Sequence, residues 1–287
     1  MQLHKIIVPF DFTEASFNTL EIAAQLAKKD DAVVSVIYVV DVPVSTGTAV
    51  DGMTGSLGNI GTFISRPHDS EEEKGALLLH MVPQVRERYE IIKERYAHVK
   101  FEEHVKPDSY QKHLYKFITN EKADLTILKT SQASDVKSSD AAEIIRHSAN
   151  PVMTIHRQDV DFHPKNIVFE SDFINVDTEQ INYLKYFRDL FNADIHLLKV
   201  ITPSLFSTTK ELRPVMENFA KEAGLDEATY HIINAHSVEE GVLDFTDLNK
   251  ADLIIKSEHS HSALTKWFYS SAIESLAIHA NVPVITI

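Results

Sequence analysis

The sequence predicts an α/β protein made of two doubly wound, Rossmann-like domains, each built on a parallel sheet. Three observations carry this prediction: an internal repeat, an alternation of strand and helix patterns in each copy, and a length of 287 residues that suits two domains of roughly 150 residues. Strands that alternate with helices form parallel sheets with right-handed crossovers. The expected domains span residues 1–157 and 162–287.

The repeat runs without a gap through the first strand, helix and strand. Lys5-Ile-Ile-Val-Pro-Phe-Asp-Phe12 returns as Asn166-Ile-Val-Phe-Glu-Ser-Asp-Phe173, an offset of 161 residues. Two later segments also recur: Lys122–Leu125 as Lys250–Leu253, and His147–Ile155 as His279–Ile287. Because the copies share a scaffold, the positions at which they differ indicate where function lies.

Apolar periodicity predicts the elements of the first copy in order. Continuous apolar runs at Ile6–Val8 and Val33–Val40 are typical of strands covered on both faces, and residues at helical spacing from Leu20 to Ala27 lie between them. Thr13 or Ser16 is available as the helix cap. The remaining predicted elements are a helix over 73–98 that starts or kinks at Pro83, strands at 101–105, 125–128 and 152–155, and helices from about Ser109 and Asp140. The second copy follows the same order, with a capping box at Ser237–Glu240.

The composition argues against several classes of function. With 44% hydrophobic and 24% charged residues, the chain has no apolar run near the roughly 20 residues of a membrane span. A net charge of -14 opposes general binding to nucleic acid or anionic lipid. The absence of cysteine excludes disulfides, thiolate metal sites and thiol catalysis. Together with an amino terminus that lacks a signal-peptide pattern, these features favour a cytoplasmic protein.

Four segments resemble those of the universal stress proteins in their tandem, two-domain form. They are Ile6–Thr13, Val36–Asp41, Ala123–Leu128 and Ile144–Val152, and the second copy repeats their order. The resemblance implies an α/β sandwich of the adenine nucleotide alpha hydrolase-like class that pairs through its last strands. In a tandem chain it implies internal domain–domain pairing as a pseudo-dimer, with a homodimer and unidentified protein partners left open. It also implies a stress-response or regulatory role.

Family members that bind ATP carry Gly-x2-Gly-x9-Gly-Ser/Thr after the fourth strand, where glycines let the backbone approach phosphate closely. Neither copy keeps these glycines. The second copy keeps the spacing but has serine throughout, at Ser257, Ser260, Ser270 and Ser271. The first copy has Lys129, Gln132, Ser138 and Ser139 in a shorter loop. The resemblance therefore implies degenerate nucleotide sites.

Ligands of doubly wound sheets bind at the carboxyl ends of the strands. The family places an acid beside the adenine, and both copies keep it, although an aspartate at a strand end also serves to cap the following helix. The candidate cofactor-binding residues are Asp11 and Val39 in the first copy, and Asp172, Val200, Ser257, Ser260, Ser270 and Ser271 in the second. Their ligand would be ATP or another adenine nucleotide.

Three other features have two readings each. Glu258, His259 and His261, with His279 nearby in sequence, are a hypothetical zinc site, but alternate residues of a loop diverge, so we assign no metal ligand. The glycines between residues 45 and 66 suit either a lid or an ordinary loop, and Lys129 suits either phosphate neutralisation or a surface ion pair.

No Walker loop, dinucleotide glycine motif, nucleophile elbow or His-Glu-x-x-His sequence occurs, so we assign no catalytic residue. The sequence therefore favours a non-catalytic stress-response or regulatory module. The alternative is an ATP-binding protein or slow ATPase that uses the serine-substituted loop of the second half.

Overall fold

The computed structural model describes the chain in segments: residues 1–11, 13–39, 83–106, 118, 121–130, 144–145, 148, 150–155, 162–174, 176–204, 206–257, 275–277 and 279–287. These residues form two compact units. The first consists mainly of the described part of Leu3–Leu128, and the second mainly of the described part of Pro151–Ile287. Within the described ranges, every helix is too short or too polar to span a bilayer.

The first unit contains four parallel strands in the order β3-β2-β1-β4. Its elements are β1 (Lys5–Phe10), α1 (Glu14–Asp30), β2 (Val33–Val39), α2 (Pro83–Arg95), β3 (Lys100–Lys106) and β4 (Leu125–Lys129). Helix α1 begins after Thr13, whose hydroxyl accepts a hydrogen bond from the Ser16 amide, and it ends at Asp31 in the left-handed conformation. The predicted strand–helix–strand unit is confirmed.

The second unit contains six strands in the order β5-β10-β9-β6-β7-β8. They are β5 (Val152–Ile155), β6 (Asn166–Glu170), β7 (Asp194–Ile201), β8 (Thr229–Asn234), β9 (Leu253–Lys256) and β10 (Val284–Thr286). Four of these pairings are parallel. The exception joins β5 to β10 in antiparallel register, with Ile285 opposite Met153. The last strand of the first sequence copy thus pairs with the last strand of the second, as the tandem resemblance implies.

Three helices of the second unit begin at polar caps: α3 (Thr178–Phe191), α4 (Thr209–Ala223) and α5 (Val238–Asn249). Full capping boxes join Asp177 to Gln180 and Thr208 to Glu211. At α5, the Ser237 hydroxyl accepts from the Glu240 amide at 3.1 Å, which is the serine half of the predicted box. These side chains satisfy amide donors that a helix start leaves without intrahelical partners.

Two predicted helices fall largely outside the described residues. Of the helix expected from about Ser109, only Ile118 is described, and of the helix expected from about Asp140, only Ile144 and Ile145 are described; all three are helical. The helix predicted over 73–98 is described from Pro83 and ends at Arg95, because residues 96–98 form a turn, so its predicted end was three residues too late.

Candidate functional site

A buried ion pair stands at the carboxyl ends of β6 and β9. Glu170 is the last residue of β6 and Lys256 is the last residue of β9, and the two are register partners in the sheet. The Lys256 ammonium contacts Glu170 Oε2, and both side chains are only 3% exposed. Removing two charges from water costs several kcal/mol per ion, roughly, unless each compensates the other. Each of the two side chains is therefore the charge partner of the other.

Two backbone amides at this edge donate hydrogen bonds to carbonyl oxygens of the sheet. The Ser257 amide, at the first position of the predicted phosphate loop, donates to the Glu170 carbonyl oxygen at 3.2 Å, and the Ser257 residue is buried. The Ser171 amide donates to the Leu198 carbonyl at 3.4 Å. An amide that already donates to the sheet is not available to a phosphate oxygen. The Ser257 amide therefore already has an acceptor within the sheet.

Lys199 is a third charged residue; it is half-buried and lies two residues before the end of β7. Burial lowers the pKa of its ammonium, and the nearby positive charge of Lys256 lowers it further, while Glu170 and Asp172 oppose the shift. Lys199 thus places an ammonium group with a lowered pKa close to the carboxylates of Glu170 and Asp172.

The two strand-end aspartates shape the turns that follow their strands. Asp172 Oδ1 accepts from the Ile174 amide at 2.9 Å. Asp11 Oδ1 accepts from the Thr13 amide at 3.2 Å and from the Thr13 hydroxyl at 2.6 Å. The caps of the following helices are Thr13 and Asp177, so neither aspartate is itself the cap. Asp11 acts one step earlier, by orienting the threonine that caps α1.

The described positions of the first copy that align with the charged pair carry no charge. The repeat aligns Glu170 with Pro9 and Lys256 with Leu128, which is buried. Beyond Leu128, the Thr130 amide donates to the Ile155 carbonyl at 2.9 Å. The aligned positions are therefore apolar in one copy and charged in the other. Sequence reasoning missed Glu170, Lys256 and Lys199, although a charge inside an apolar strand pattern was the available signal.

The other predicted site residues are dispersed. Val200 is buried in a core cluster with Val242 and Phe245, and its Cγ1 lies 2.7 Å from where a Cβ on Gly241 would stand. Val39 ends β2, where it is the register partner of Lys106. Ser260, Ser270 and Ser271 lie outside the described residues, as do Glu258, His259 and His261 of the hypothetical metal site.

His279 contacts a carboxylate on helix α5. Its Nδ1 lies 2.8 Å from Glu239 Oε1 and 3.1 Å from the Ser275 hydroxyl. Across the described segments, no group of three or more His, Asp or Glu side chains is placed to share a metal ion.

A cavity of about 430 Å³ opens at the carboxyl ends of β7 and β8. It is lined by Ile201, Thr202, Pro203, Phe206, Asn234, Ala235, His236, Glu240 and Asp244. Of the predicted nucleotide-binding residues within the described ranges, namely Asp11, Val39, Asp172, Val200 and Ser257, none lines this cavity. Asp172 and Ser257 therefore do not face each other across this cavity.

Several solved structures are similar to this chain at low sequence identity. A universal stress protein from Archaeoglobus fulgidus DSM 4304 is 17% identical, with 99% of this chain and 96% of that chain covered at a TM-score of 0.65. The cytoplasmic domain of a prokaryotic cation chloride cotransporter is 11% identical, with 100% and 95% covered at a TM-score of 0.53. An Archaeoglobus fulgidus universal stress protein in complex with dAMP is 15% identical over 43% of this chain and 97% of that one, at a TM-score of 0.33.

No curated protein matches the chain. The model of the universal stress protein family matches it twice, over residues 2–156 and 183–287. The two matches agree with the sequence repeat and with strand pairing between the ends of the copies. The chain therefore belongs to the universal stress protein family, of which it carries two domains in tandem.

Proposed function

We propose that the chain is a non-catalytic stress-response or regulatory module whose two nucleotide sites are degenerate. The observation that carries this proposal is the buried Glu170–Lys256 pair. It lies at the strand ends of the second unit, where a ligand of such a sheet would bind, and its two charges already compensate each other. The Ser257 amide, which donates to the Glu170 carbonyl, supports the same conclusion. The proposal includes a cytoplasmic location and internal pairing of the two domains. It leaves open whether two chains also form a homodimer.

The alternative function is nucleotide binding or slow ATP hydrolysis at the second unit. Lys199 favours it, because a half-buried ammonium close to Asp172 could contact a phosphate oxygen while the carboxylate contacts the base or ribose. Under this alternative, the binding residues would be Asp172, Ser257, Ser260, Ser270 and Ser271.

Calorimetry with Mg-ATP on the full-length chain separates the two functions. The intact chain is required because β5 of the first copy pairs with β10 of the second, so cutting between the copies would remove a strand from its partner. We expect no binding heat at ATP concentrations up to about 1 mM, which corresponds to less than about 4 kcal/mol of binding free energy.

Two matched variants show which of the two copies is the source of any binding heat. Asp172→Ala removes the acid of the second unit, and Asp11→Ala removes its equivalent in the first. A micromolar isotherm that disappears in Asp172→Ala and survives in Asp11→Ala would overturn the proposal in favour of the alternative. Phosphate release that depends on Asp172 would further establish ATP hydrolysis.

A further inference from the structure

Two histidines on neighbouring strands of the second unit face each other at short range. His196 lies on β7 and His231 lies on β8, where the register pairs His196 with Thr229 and Leu198 with His231. Alternate residues of a strand share a face, so both imidazoles and the Thr229 side chain project from the same side of the sheet. His196 Nδ1 lies 3.4 Å from His231 Nε2, and Thr229 Oγ1 lies 2.8 Å from each nitrogen.

We propose that His196 and His231 form a binding site for Zn²⁺ or a similar divalent transition-metal ion. Two nitrogens bound to tetrahedral zinc at about 2.0–2.1 Å lie about 3.3–3.4 Å apart, which matches the distance between these two ring nitrogens. The ion would replace the Thr229 hydroxyl as their shared polar partner, with water completing its coordination. This site is separate from the strand-end pair and independent of the proposed function.

The protonation of the two rings suits a metal ligand. Burial lowers the pKa of His196, against a smaller opposing effect of Asp194. Burial also lowers the pKa of His231, and the neighbouring His196 lowers it further. Metal binding requires neutral imidazole, and the lowered pKa of both rings favours that form. Asp194 supplies a negative charge close to an incoming cation.

The surroundings leave the site accessible and limit its affinity. Both histidines are half-buried and Thr229 is exposed, so an ion can reach them from solvent. The Phe245 ring of α5 covers the pair from one side, with its centroid 4.6 Å from that of His231. When His196 Nδ1 binds metal, its proton resides on Nε2, which is buried without a hydrogen-bond partner among the described atoms. That cost makes a modest affinity the expected result.

Zinc titration of the untagged full-length chain tests the site. We expect one Zn²⁺ to bind in the wild type, and His231→Gln or His196→Gln to weaken binding at least tenfold. His236→Gln is the matched control, because His236 is exposed and follows β8 without belonging to the pair. Circular dichroism in EDTA checks that each variant is folded.

A second measurement needs no variant. Zn²⁺ should protect His196 and His231 of the wild type from histidine-directed carbethoxylation, read by mass spectrometry, and should leave His236 reactive. Absence of zinc binding at about 100 µM, where a site with micromolar affinity would be nearly saturated, overturns the proposal. Equal binding by the wild type and the His196→Gln/His231→Gln double variant overturns it too. So does loss of zinc only on substitution of His259 and His261, because the ion would then belong to the 258–261 segment.

Discussion

Replacement of Lys256 by leucine is the most direct test of the buried ion pair. The change copies the first domain, in which Leu128 occupies the aligned position. It leaves the Glu170 carboxylate buried without its cation, because both side chains are 3% exposed in the pair. Loss of one partner of a buried pair typically destabilises a protein by about 3–5 kcal/mol. We expect about 3 kcal/mol, the lower end, because Lys199 still contributes positive charge near Glu170.

Urea unfolding followed by circular dichroism measures this effect, and thermal unfolding should show a Tm lower by roughly 6–12 °C. The Glu170→Leu/Lys256→Leu double variant should recover to within about 1 kcal/mol of the wild type or exceed it, because neither member of the pair is then buried without the other. The control is Lys100→Met, which breaks an exposed pair with Glu102 and should cost less than about 1 kcal/mol. A Lys256→Leu variant as stable as that control, or a double variant less stable than either single variant, would refute the reasoning.

Three further predictions concern packing, a cap and a buried phenol. Gly241→Ala should destabilise by about 1–3 kcal/mol in urea unfolding, because its Cβ would stand 2.7 Å from Val200 Cγ1. Asp177→Ala should cost about 1 kcal/mol in the same assay, because it removes the acceptor for the Gln180 amide at the start of α3. Burial, and then Glu21, raise the pKa of Tyr96 to about 12. The stability gained from its neutral phenol should therefore be present below about pH 10 and be lost as pH rises toward 12, and Tyr96→Phe should remove that loss.

Each of these predictions has a result that contradicts it. Unchanged stability of Gly241→Ala would contradict the expected overlap of its Cβ with Val200. An unchanged urea midpoint for Asp177→Ala would mean that water replaces the cap fully. For Tyr96, the wild type and the phenylalanine variant should differ in stability between pH 10 and pH 12, and identical curves would exclude the raised pKa.

Much of the fold was predictable because its signals are local. The apolar run Ile6–Val8 and the helical spacing after Thr13 depend on residues that are close in sequence, and the repeat at Asn166 carries the same local patterns into the second copy. The cap at Thr13 followed from the preference of hydroxyl side chains for helix starts. The capping boxes at Asp177 and Thr208 carried the same signal and were missed.

The candidate site was predicted less well because its contacts depend on backbone geometry and on packing between elements. Asp11 and Asp172 were identified from the aligned motif, but their bonds to the following turns follow from local backbone geometry that the sequence pattern did not reveal. Val200 lies at the expected strand, yet its side chain packs into the core with Phe245. A strand pattern alone does not say which helix covers each face.

The sequence by itself determined the duplication, the order of strands and helices, the family and the loss of the phosphate glycines, because each of these is written in residue identity and spacing. Only the tertiary structure decided that Glu170 and Lys256 meet, that the two neighbouring histidines of β7 and β8 converge, and that the Ser257 amide is used within the sheet. Glu170 and Lys256 lie far apart along the chain, and the parallel register of β6 with β9 brings them together. Contacts of this kind depend on which strands become neighbours, and that is a property of the folded sheet.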